Sequence, residues 1–264
     1  MFIPAKIKLN HANFLGKITP KISKAEIDLI DDNFYNQLLN KVTDGNGDIN
    51  GSQLQYLTFP LDEHYDVFIS YSHLDEKVAL GLYSFLRNRN LRVFLDSTIW
   101  HSADRLLREI DKRYSRLDED PNLIDYTKSL YSSSHVHAML SMAMLEAINR
   151  SELCLFLESN NSTTLKDGIR NYTLSPWIYE ELSYISKIKP ATPERYHFEH
   201  VRYFSDRRKI TIVDEQRELN LSYGIDTKNL MTLLPVDFKG EGESLLDNIY
   251  MVHNIQIPKK SIYE

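Results

Sequence analysis

The sequence predicts an α/β fold, a flavodoxin-like doubly wound parallel sheet of about five strands, with an N-terminal helical extension and a helical insertion after the second strand. Three observations predict it. Short, continuously apolar runs rich in β-formers, YDVFIS (65–70), LRVFLD (91–96) and ELCLFLES (152–159), alternate with segments of helical period. Runs without polar alternation are strands buried on both faces, which is the signature of a parallel sheet. Finally, 264 residues with 42% apolar content suffice for a sizeable core.

The elements follow in order. SKAEIDLIDDNFYNQLLNKV (23–42) has Ser23 and Glu26 at capping-box spacing and puts Ile27, Ile30, Phe34 and Leu38 on one helical face. TDGNGDINGS after it is a linker by its Gly, Asn and Asp content. Residues 1–60 are therefore read as an extension with one amphipathic helix, and 61–264 as the sheet domain. DEKVALGLYSFLRNRN keeps Val78, Leu82, Phe85 and Leu86 at helical spacing between the first two strands. A loop at Ser97 to His101 and a helix capped by Ser102 come next, and AMLSMAMLEAINR (138–150) forms a further apolar helix. SPWIYEELSYISKI starts with Ser175 as N-cap and Pro176 at the first helical position, both favourable where backbone N–H groups lack partners. KITIV (209–213) and LMTLLPVDF (230–238) are the remaining strand candidates, and GESLLDNIYMVH is the last helix.

Several chemistries are disfavoured. A net charge of −6 argues against a nucleic-acid partner. The single cysteine, Cys154, rules out a disulfide framework and fits a reducing, cytoplasmic compartment. No apolar run reaches the roughly 18 residues of a membrane span, so no membrane partner is expected. Asp44, Asn46 and Asp48 alternate as in a calcium loop, but the sixth position is Ile49 where Gly is required and the twelfth is Gln55 where Glu should close the site. His135 and His137 stand two apart, so a helix sends them to different faces. No metal and no cofactor are expected, and no GxGxxG or Walker motif is present.

In a doubly wound sheet, ligands bind at the carboxyl ends of the strands where the strand order reverses. The loop SYSHLD and the helix beginning at Ser175 would share that crevice. YDVFISYSHLD, RVFLD with its following loop, INRSELCLFLES and SPWIYEEL together resemble, in order, the successive boxes of the Toll/interleukin-1 receptor (TIR) domain family. The resemblance covers 65–185 closely. The stretch 111–137 resembles the helical insertion of prokaryotic stand-alone TIR proteins, including those of Thoeris-type antiphage systems.

The resemblance implies cleavage of NAD, as substrate, between nicotinamide and ribose by a glutamate four residues after the tryptophan of the last box. Trp177 plus four is Glu181. That spacing puts both on one helical face, with Glu180 turned away by about 100°. The resemblance further implies contacts to the nucleotide from Ser70, Tyr71, Ser72 and His73, with Trp100 in the loop after the second strand and Trp177 beside the carboxylate. Asp75 is read as the cap of the following helix. An ADP-ribose-derived product, linear, cyclic or conjugated, would be a signal for a downstream effector, and activity should stay low until a trigger or self-assembly through TIR surfaces. The alternative is a non-catalytic TIR–TIR signalling or scaffold module. A phosphoacceptor receiver would require Asp at the end of the third strand, where Glu158, Ser159 and Asn160 stand instead.

Overall fold

A computed structural model describes residues 3–9, 32–59, 64–120, 122–166, 170–189, 191–196 and 222–256. Its strands are β1 (Ile3–Lys8), β2 (Tyr65–Ser70), β3 (Val93–Leu95), β4 (Ser151–Glu158), β5 (Thr164–Lys166), β6 (Arg170–Thr173), β7 (Tyr223–Ile225) and β8 (Met231–Thr232). The helices are α1 (Asp32–Val42), α2 (Gly51–Thr58), α3 (Glu76–Arg87), α4 (Asp96–Tyr114), α5 (Tyr126–Arg150), α6 (Pro176–Lys187) and α7 (Glu243–Val252).

Five strands form an all-parallel sheet in the order β3-β2-β4-β1-β8. The chain steps from β2 outward to β3 and then back across to β4, so the reversal lies between β2 and β4. This is the crevice expected of a flavodoxin-like order. The N-terminal segment, read as a helical extension, supplies an interior strand: β1 pairs with β4 from Ile3↔Leu153 to Lys8↔Glu158 and with β8 on its other side. Its inward set, Ile3, Ala5 and Ile7, alternates with Pro4, Lys6 and Lys8, and that period of two suits a strand. The expected strand at 209–213 and the Ser23/Glu26 capping box with Ile27 and Ile30 lie outside the described residues.

The two faces of the sheet carry separate cores. Ile3, Ala5, Val67, Ile69, Leu153, Leu155 and Leu157 pack with α3 and α7. Phe68, Phe94, Cys154 and Phe156 pack with α1, α4, α5 and α6. The Phe68 and Phe94 rings stack at 5.4 Å. Each fully buried Leu or Phe contributes on the order of 1.5–3 kcal/mol.

Some expected boundaries move. Residues 97–101 are not a loop: α4 starts at Asp96 directly after β3, because no Gly or Pro interrupts 96–120 and Ala103, Leu106 and Ile110 give the helix a buried stripe that anchors it. Ser102 consequently lies inside α4, and the N-cap position falls to Leu95. The expected insertion is a helical hairpin in which α5 begins at Tyr126, with Asp125 as N-cap accepting from the Lys128 N–H at 3.0 Å. Met231–Thr232 is all that remains of the strand expected at 230–238, since Pro235 offers no N–H and a 3-10 turn follows. A helix also follows the Gly-rich linker, its N-cap Asn50 accepting from Gln53 N–H. Within that linker Asp44 Oδ1 accepts the N–H groups of Asn46 and Asp48, as an Asx turn does. A small antiparallel sheet, β5-β6-β7, flanks α6, with Tyr179 stacked on Tyr223.

At the amino end of β4, the carboxylate of Glu152 is buried and receives the Nε and Nη2 of Arg195 and the Tyr250 hydroxyl. Arg195 also donates to Asp247 at 2.7 Å, and Tyr196 donates to the same oxygen. Burial pushes the Glu152 carboxyl above its usual range against the pull of Arg195. Asp247 shows the opposite outcome: against the upward push of burial, hydrogen bonds from Arg195 and Tyr196 hold it below that range. No helix among the described residues is long and apolar enough to cross a membrane.

Candidate functional site

Local sequence sets the direction of α6. Ser175 Oγ accepts the Ile178 N–H at 3.3 Å, Pro176 occupies the first turn, and Thr173 Oγ1 accepts the Ser175 N–H at 3.1 Å. With the start fixed, the buried positions are Ile178, Glu181, Leu182 and Ile185. That i, i+3, i+4, i+7 stripe belongs to apolar residues in an ordinary amphipathic helix. Glu181 is its one ionisable member.

Glu181 is 0% exposed, and Ser70 Oγ donates to its Oε2. Ser70 closes β2 on the same face as Phe68, so strand and helix meet at the carboxyl edge of the sheet beside the reversal between β2 and β4. A buried carboxylate is costly unless hydrogen-bonded, which is the service Ser70 performs. Glu180, one residue earlier, is half-buried and accepts the Tyr184 hydroxyl at 2.6 Å. The adjacent pair thus differs as the spacing predicts, though Glu180 is held by Tyr184 rather than standing free in water.

The other expected residues are distributed unevenly. Trp177 is half-buried against the α4–α6 core, its ring 5.4 Å from that of His137 in an edge-on arrangement. Tyr71 is buried with the opposite core, on the α3 and α7 side, and is not brought to Glu181. Ser72 is buried ahead of the 3-10 turn His73–Asp75, and His73 is exposed. For Trp100 the described structure gives only its backbone position, within α4.

Asp75 precedes α3 but makes no side-chain cap. Its carboxylate instead accepts from Ser159 Oγ and, at 2.7 Å, from Asn161 Nδ2. Asp75 therefore does not cap α3 as expected: its two carboxylate oxygens are taken by Ser159 and Asn161, which tie the loop after β2 to the loop after β4. Sequence spacing gives no signal for a partner 84 residues away.

His135 packs on Tyr131, and among the described residues no group of three or more His, Cys, Asp or Glu is arranged to hold a metal ion. Cys154 is fully buried, with its thiol directed at the Ile148 carbonyl at 3.7 Å. Burial, with the negative charge of Glu181 adding to it, pushes the thiol up to about 12. Iodoacetamide at pH 8 should therefore leave the folded protein unmodified and alkylate Cys154 fully in urea, as intact mass will show.

Comparison of the chain with protein-family models, with curated proteins and with solved structures gave no match.

Proposed function

We propose that the chain is a TIR-type enzyme that cleaves NAD at the nicotinamide–ribose bond and makes an ADP-ribose-derived signal of the kind used in antiphage defence. The observation that carries this reading is a carboxylate, Glu181, set into the buried stripe of α6 and held by Ser70 at the carboxyl edge of a parallel sheet. Nicotinamide leaves as a neutral molecule, so no general acid is required. The demand is to stabilise an oxocarbenium-like ribose, and one carboxylate in a water-poor site supplies that electrostatically. Hydrolysis, cyclisation or transfer then depends on which nucleophile reaches the anomeric carbon.

Because Glu181 has no exposed surface, the closed arrangement supports low basal turnover, with substrate entry requiring the enclosure around Glu181 to open while Ser70 keeps its bond to the carboxylate. Ser70 then acts as a positioning residue. Ser70→Ala should lower kcat about 10- to 100-fold, the range for losing one bond to a charged group. The non-catalytic reading is favoured by the same closure and by an exposed apolar tip on the α4–α5 hairpin, Leu123, Ile124, Tyr126, Leu130 and Tyr131. Incubating purified protein with NAD, dilute and under forced assembly, separates the two. Nicotinamide release with a new ADP-ribose product by mass spectrometry supports the enzyme, and no release under either condition supports the scaffold.

A further inference from the structure

Lys6 is 8% exposed on β1, an interior strand of the sheet. Lysine is almost never buried this far unless paired. Its Nζ lies 2.7 Å from Glu158 Oε2 and donates to Thr227 Oγ1 at 3.2 Å. Desolvation offsets most of what such a buried pair gains, so the pair adds little to stability over an apolar substitute.

Placement is the informative part. Ser70, Phe156 and Lys6 occupy one register row across β2, β4 and β1, on the face that carries Glu181. Strand spacing puts the Lys6 backbone about 10 Å from that of Ser70, within the length of a dinucleotide. Lys8, two residues on, is exposed on the same face at the carboxyl end of β1. An ammonium has three N–H bonds, and Glu158 and Thr227 account for two among the described residues. A dinucleotide brings two phosphates to an edge already holding Glu181 and Glu158, so a cation there is needed to offset the repulsion.

We propose that Lys6 is a substrate-binding residue that receives the pyrophosphate of the dinucleotide, with Glu158 holding its ammonium in place beforehand. This rests on the reading of Glu181 as the centre of NAD cleavage. The N-terminal strand then contributes binding as well as a strand pairing.

The test measures ADP-ribose binding by calorimetry and NAD kinetics in the full chain. The variants are Lys6→Met and the double variant Lys6→Met/Glu158→Gln, each checked by thermal melting. Both variants are expected to bind ADP-ribose about 10- to 100-fold more weakly, the worth of one or two charge-assisted bonds, with most of the loss in kcat/KM appearing in KM. Nicotinamide riboside, which has no phosphate, should be handled alike by wild type and variants. If Lys6→Met fails to fold, the double variant carries the test, because it leaves no unpaired buried charge. Wild-type affinity in the double variant means that Lys6 serves only Glu158 and overturns the inference, as does an equal loss toward the riboside. Wild-type protein that binds no ADP-ribose overturns it as well. Variants that release nicotinamide with wild-type KM overturn it while leaving the catalytic reading intact. Lys6-dependent ADP-ribose binding without any nicotinamide release supports the phosphate site and defeats the catalytic reading alone.

Discussion

Glu181→Ala is expected to abolish nicotinamide release, with a loss of at least about 10³-fold in kcat, while Glu180→Ala stays within a few-fold of wild type. The magnitude follows from removing the one charge that opposes the developing positive charge on ribose, in a site where water does not screen it. Because both glutamates sit on α6, a general effect on that helix would move both variants together. The asymmetry is therefore diagnostic: Glu181 is enclosed and bonded to Ser70, whereas Glu180 is half-buried beside Tyr184. Deleting Glu181 also removes a buried charge, so the protein should unfold at equal or higher urea concentration, which separates catalysis from folding.

The largest stability effect is expected at Arg195. Arg195→Met leaves the Glu152 carboxylate buried with the Tyr250 hydroxyl and without its cation, a change that costs about 3–5 kcal/mol. Urea unfolding at pH 7 measures it, and adding Glu152→Gln should recover most of the loss. A pH dependence accompanies it. The folded-state pKa of Glu152 is raised above its unfolded value, so the stability linked to this group is fully present below the unfolded pKa and is lost as pH rises through the folded one. In Arg195→Met that loss grows, because the cation that opposed the rise is gone. The melting temperature of the variant should fall relative to wild type from the ordinary carboxylate range toward neutrality, and the double variant should show no such trend.

Much of this arrangement was legible in the residues alone. Continuous apolar runs located β2, β3 and β4, and the Ser175–Pro176 start together with a spacing of four placed Glu181 on the inner face of α6. β1 is hard to see in the sequence because IPAKIK carries a proline and two lysines, which break an apolar run. Only the alternation of Ile3, Ala5 and Ile7 carries the signal of a strand, and what buries Lys6 is an ion pair formed across the fold. At 97–101 the sequence contains neither Gly nor Pro, so the helix runs straight on from β3 where a loop is expected. At Asp75 the reason is different. Its partners, Ser159 and Asn161, become neighbours only once β2 and β4 pair, and no local pattern encodes that.

The central claim is that Glu181 is a catalytic carboxylate and not merely a buried one. It is tested most directly by quantifying nicotinamide released from NAD by wild-type protein and by Glu181→Ala, both under forced assembly and at matched folded concentration. Steady release by wild type, with an ADP-ribose-derived product, and none above background from the variant are expected. Release by both at the same rate, or by neither, would contradict it.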